Sequence, residues 1–202
     1  MSGIIAQNSG RHTGLVKAAS GGGGEWTLIS TVTSDGSDDN ISFTSGIDST
    51  YDEYCFKFIN IHPETDDTNF QFNLSIDSGS NYNVTKTTTY FYASHKEDDS
   101  STALSYYAAQ DLAQSTSFQN LLTGIGIDND QSGAGYLHLF NPSSTIFSKH
   151  FLARCQHYMY VDFSQEYYTA GYGNTTSAVD AVRFQMSSGD IDSGTISLYG
   201  IG

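Results

Sequence analysis

Alternating oxygen-bearing side chains make the chain's strongest candidate for chemistry: Asp128, Asp130 and Ser132, closed by Gly133. The pattern D-x-D-x-S-G offers hard ligands to a cation and a glycine for the sharp turn of a calcium loop. The twelfth position of such a loop ordinarily brings a bidentate acid, but here it is Leu139, and no helical pattern flanks the stretch. Two readings stand: a calcium ion held by Asp128, Asp130 and Ser132, or a solvated turn in which the Asp side chains bond the local backbone.

Other reactive side chains are scattered. His12, His62, His95, His138, His150 and His157 include no pair at helical zinc spacing, and neither Cys55 nor Cys155 has the companions of a structural zinc site. Nucleophile elbows, zinc-protease helices and phosphate-cradling loops do not occur, and Gly21–Gly24 lacks the lysine and the strand-loop-helix context of a nucleotide loop. With 22 acids some carboxylates must approach one another, but none is spaced as a recognisable catalytic pair. No enzyme is expected. The acidic runs Asp35–Asp39 and Glu64–Asp67 read as solvated loops. Both cysteines fall within strand patterns, and two reduced thiols are favoured over one disulfide because disulfide frameworks use more cysteines in shorter chains.

These residues lie on a chain that reads as strand after strand. Tyr, Phe, Thr and Ser are abundant while Lys and Arg together number eight, a composition that favours sheets. Trp26 to Val32 alternates. Tyr51 to Ile61 is apolar on both faces and ends at Pro63, as a central strand does. Phe70, Phe72, Leu74 and Ile76 form an inward set against Gln71, Asn73 and Ser75. A Thr- and Tyr-rich strand follows over Tyr82 to Ala93. Gly135 to Phe140 and Phe147 to Phe163 are further strands, the second long enough to bend or break once. In Leu104 to Leu122 the spacing is helical, and a short helix or turn is expected there.

Ser177 to Ile201 reads as a hairpin whose loop, residues 187–194, is long enough that its arms could pair with different neighbours. Ile-Asp-Ser recurs at Ile47, Ile76 and Ile191 with unequal spacing, which marks strand ends rather than a repeat architecture. One domain of nine or ten short strands results, a two-sheet antiparallel β-sandwich, jelly-roll-like, over residues 25–202.

Charge divides the chain at its glycine run. Residues 1–24 carry Arg11 and Lys17 and no acid, a net +2, whereas residues 25–202 hold six bases against 22 acids, a net −16. The first segment reads as an extended N-terminal arm ending in a flexible hinge. The acidic body excludes nucleic acid and anionic membrane as partners. No apolar run is long enough to span a bilayer, and Met1–Asn8 lacks the charged start and apolar core of a signal peptide.

Several stretches resemble a family of structural proteins in the virions of tailed, especially marine, bacteriophages. They are Ser2–Asn8 with Gly14–Lys17, Phe43–Tyr51, Asn60–Pro63, Leu137–Pro142 and Thr195–Ile201. The resemblance implies a non-enzymatic virion surface protein made in the host cytoplasm. A capsid decoration (cement) protein is the first expectation, with Ile4, Ile5, Arg11, Leu15 and Lys17 docking on the major capsid protein or another virion protein. The alternative is a tail-fibre or head-fibre module that grips host surface glycan through Tyr106, Tyr107, Tyr167, Tyr168 and Tyr172. A homotrimer is expected in addition, since such proteins commonly occupy threefold positions. Its candidate interface is the Tyr-rich stretch Gln165 to Ala178, holding Tyr167, Tyr168 and Tyr172 and uncharged after Glu166, against the reading of that stretch as a solvated loop.

Overall fold

The computed structural model describes residues 24–202, so the arm residues Ile4, Ile5, Arg11, Leu15 and Lys17 lie outside the described part. Twelve strands follow: β1 (Trp26–Thr33), β2 (Ile41–Phe43), β3 (Glu53–Pro63), β4 (Thr68–Ser75), β5 (Lys86–Lys96), β6 (Thr102–Tyr106), β7 (Gln119–Ile125), β8 (Gly133–Phe140), β9 (Lys149–Met159), β10 (Phe163–Gly173), β11 (Ala181–Met186) and β12 (Ile191–Ile201). No helix occurs among the described residues.

Every pairing between these strands is antiparallel. β7 and β9 meet only at Ile125 opposite Met159, so the hydrogen-bonded path divides there into two layers. The smaller is β7-β4-β11-β2 and the larger β1-β12-β3-β8-β9-β10-β5-β6. Within them, β1-β12-β3-β8 facing β2-β11-β4-β7 is the strand order of an eight-stranded jelly roll. The β5–β6 and β9–β10 hairpins are insertions into that roll, and both extend the larger layer alone. The expected two-sheet, jelly-roll-like sandwich is therefore the fold.

Phe184 holds the layers together. From β11 its ring meets Phe56 and Phe58 of β3 at centroid distances of 5.1 Å and Phe70 of β4 at 5.8 Å, stacked on the last and edge-on to the others. Phe72 and Phe151 make a second bridge between the layers, edge-on at 5.1 Å. Offset and edge-to-face pairs of this kind add about 1 kcal/mol each to the burial of the rings.

Of the two pairings open to the last two strands, the one with different neighbours holds: β11 pairs with β2 and β4, and β12 with β1 and β3, because residues 187–190 carry the chain from one layer to the other. Other expectations need correction. The helical spacing near Leu121 is coincidental, since Gln119–Ile125 is a strand buried at all seven positions. Ile76 is exposed because β4 ends at Ser75, whose hydroxyl bonds Asp77 to turn the chain. Asn73 and Ser75 are buried rather than outward, since neighbouring loop segments cover that side of β4 and Asn73 Nδ2 donates to the carbonyls of Tyr82 (2.6 Å) and Thr116 (2.9 Å).

The same cover buries Lys86, whose amine donates to Asn73 Oδ1 and to Val84 O. Desolvation alone brings that amine down to about 7. The Thr- and Tyr-rich strand accordingly begins at Lys86, beyond the expected Tyr82. Long β9 and β10 confirm the single break within Phe147–Phe163, made by a turn with Asp162 at φ 66°. Cys55 and Cys155 are buried and unpaired. They stand on β3 and β9 with β8 between, two strand spacings or about 9.5 Å across the sheet, and Cys155 lies three residues along β9 from Leu152, the residue in line with Cys55, so the pair is well beyond disulfide reach.

Candidate functional site

Alternation along the larger sheet decides which side chains leave the core. Odd positions of β3 up to Ile59 and of β5, and even positions of β8, β9 and β10, point outward, and the register aligns them in rows. One row runs Lys57, Tyr136, Arg154, Tyr168, Phe91, Tyr106 across β3, β8, β9, β10, β5 and β6. The adjacent row runs Cys55, His138, Leu152, Ala170, Thr89. Aromatic and cationic groups are thus neighbours on one face.

Two walls rise from this face. On one side Phe91 and Tyr168 stack in parallel at 4.8 Å, and the Arg154 guanidinium lies 5.2 Å from the Tyr168 ring. On the other, His138 stacks on Phe140 at 6.2 Å and meets Tyr136 edge-on at 5.1 Å. Between them lies a cleft of about 540 Å³ with Leu152 and Ala170 in its floor. It continues into a second compartment of about 430 Å³, which shares Phe140 and Leu152 and reaches Thr87, His150 and Tyr172.

Charges in the cleft are paired. Arg154 Nε donates to Glu166 Oε1, and the Tyr168 hydroxyl donates to Glu166 Oε2 at 3.1 Å. Arg154 chiefly, with help from Tyr168, holds the Glu166 carboxyl below its usual range. Glu53 Oε1 meets His138 Nδ1, and Cys55 Sγ lies 3.6 Å from His138 Nε2. Thiol, imidazole and carboxylate are connected here as in a cysteine hydrolase. Activation would require a lowered thiol pKa. Desolvation instead drives Cys55 up to about 12, and the residue has no exposed surface. The line is a hydrogen-bonded support for His138, not a primed nucleophile.

Candidate residues named from sequence divide between surface and core. Tyr167 is corrected as both interface and glycan contact. Its odd position on β10 points inward, it is 1% exposed, and its hydroxyl bonds Thr123 beneath Tyr90. Tyr107 is half-buried against Tyr90 and Tyr92. Tyr106 is exposed on the edge strand and bonds Asp111. Tyr168 and Tyr172 stand on the outer face, and of the stretch Gln165 to Ala178 the part Gln165–Gly173 is strand while residues 174–178 are loop.

Asp128, Asp130 and Ser132 sit in the β7–β8 connection, a turn closed by Gln131 N donating to Asp128 O at 2.8 Å. The buried Gln131 side chain accepts from Asp128 N at 3.3 Å. The Ser132 carbonyl accepts from Tyr158 N at 3.2 Å, tying the turn to β9. Among the described residues no group of three or more His, Cys, Asp or Glu is gathered to hold a metal ion.

Sequence reasoning passed over Glu53, Phe91, Tyr136, Phe140, Leu152 and Arg154. One signal pointed to four of them, Tyr136, Phe140, Leu152 and Arg154: from Gln131 to Val161 the chain has no Asp or Glu, while Lys149 and Arg154 occur. No family model matches the chain, and no curated protein matches it.

Proposed function

We propose that this chain is a non-enzymatic structural protein of a tailed-bacteriophage virion surface, a capsid decoration protein. Residues 1–24 dock it on the major capsid protein or another virion protein, and the jelly roll faces solvent. The observation that carries this reading is the division of charge, a +2 segment without acids joined through glycines to a −16 body. An acidic body resists non-specific adsorption while a basic arm finds an acidic seat. The sequence resemblance and the jelly-roll order support the same reading. Deletion of residues 2–20 is expected to leave a cooperatively folding body that no longer joins particles; full incorporation of the truncated chain would overturn the docking role.

A second reading, a fibre-borne module recognising host surface glycan, is favoured by one specific observation, the aromatic cleft between Tyr136 and Tyr168. Immunogold labelling of intact virions separates the two. Label on heads supports decoration, and label confined to tail fibres supports the recognition module.

A further inference from the structure

We propose that the outer cleft of the larger sheet is a binding site for an uncharged oligosaccharide, an inference that rests on the recognition reading. Three observations fit this ligand class. First, the site combines apolar walls with a few convergent polar groups, the usual make-up of a small-ligand site. Tyr136 is 37% exposed and Leu152 51% exposed, offering the apolar surface on which the C–H face of a pyranose ring settles.

Second, hydrogen-bonding capacity remains on both sides. Arg154 commits Nε to Glu166, which leaves its two terminal amines as donors. Glu53 commits Oε1 to His138, which leaves Oε2 as an acceptor. A sugar hydroxyl both donates and accepts, so a ring between these groups satisfies both. The internal pairs meanwhile fix the side chains before the ligand arrives, which lowers the ordering cost of binding.

Third, the charge pattern selects against acidic sugars. Arg154 is neutralised by Glu166, and Glu53 borders the cleft beside His138. A carboxylate on the ligand would meet two acids and the field of a −16 body. The groove from Arg154 to His150 spans four residues of β9, about 13 Å, which suits an oligosaccharide better than a single ring.

The test titrates the full chain with maltohexaose, cellohexaose and mannohexaose as uncharged probes and hexagalacturonate as the acidic one, followed by saturation-transfer NMR. Saturable binding of an uncharged probe is expected, weakened about tenfold or more by Tyr136→Ala and by Leu152→Asp, and unchanged by Leu104→Ala on the exposed edge strand. Both cleft positions are solvent-facing, so thermal melts of the variants are expected to match the parent. Failure of all three uncharged probes, or preference for hexagalacturonate, overturns the inference. Adsorption to cells of the propagating host then separates the two levels. Adsorption lost in Tyr136→Ala without any uncharged probe binding removes the ligand class but keeps recognition, and absence of adsorption by the parent chain removes both. A change in sedimentation of the cleft variants with no bound probe would make the face a contact between copies and likewise overturn the site.

Discussion

His157 shows how one inward position on a strand acquires a chemical consequence. It is fully buried on β9, stacked 5.7 Å from Tyr167, and neither ring nitrogen has a hydrogen-bond partner among the described residues. Desolvation carries its pKa from 6.5 down to about 4. Between those values the unfolded chain holds a proton that the folded chain refuses, so stability falls as pH drops from 6.5 to 4, by up to about 3 kcal/mol. Lowered carboxylates such as Asp98, at about 2, act below that window. Urea midpoints measured at pH 7 and pH 4.5 are expected to separate widely in the parent and to draw together in His157→Phe, which keeps the ring stack. An unchanged separation in the variant would assign the acid sensitivity elsewhere.

Elements carry the next level, and Phe184 is the point where both layers depend on one strand. Phe184→Ala removes a ring that touches β3 and β4 at once, and a loss of about 3–5 kcal/mol is expected in equilibrium denaturation. A loss below about 1 kcal/mol would mean that the layers repack without it. Alternation identified β11 and most other strands correctly, because a half-buried strand writes its period of two into the sequence whatever its partner is. Partnership is not written there. Thus Ser177 to Ile201 read either as one hairpin or as arms with different neighbours, and only the fold places β11 and β12 in different layers. Gln119–Ile125, covered on both sides, carries no alternation to read, and Leu121 and Leu122 fell into a helical spacing by chance. The cleft was half legible for the same reason. Tyr168 and Tyr172 could be named, but Tyr167 could be separated from them only by the parity of β10. The contribution of Phe91 and Tyr136 depended on register across four strands.

For the molecule as a whole, charge and the free outer face decide what can approach. Acids are missing from Gln131 to Val161, and at the Lys149 end of β9 the loop residues Ile146 and Phe147 are 72% and 66% exposed beside the Tyr172 end of β10. A homotrimer closing through this loop, with Ile146 and Phe147 in contact, is the assembly we propose. Sedimentation equilibrium should give three times the chain mass, with association strengthened by salt as screening shortens the repulsion between acidic bodies. Ile146→Asp combined with Phe147→Asp should yield a folded monomer; a parent chain monomeric at every concentration and salt would rule out a preformed trimer. The jelly-roll order also sets a timetable for biosynthesis. β12, the last of the described strands in chain order, lies between β1, the first of them, and β3. While the ribosome is still making residues 191–201, the larger sheet has a gap one strand in from its β1 edge, with unpaired edges on both sides. That sheet closes only once β12 has emerged, in a slow search dominated by long-range contacts, and a chaperone that shields open strand edges would raise the yield of soluble protein most before that point.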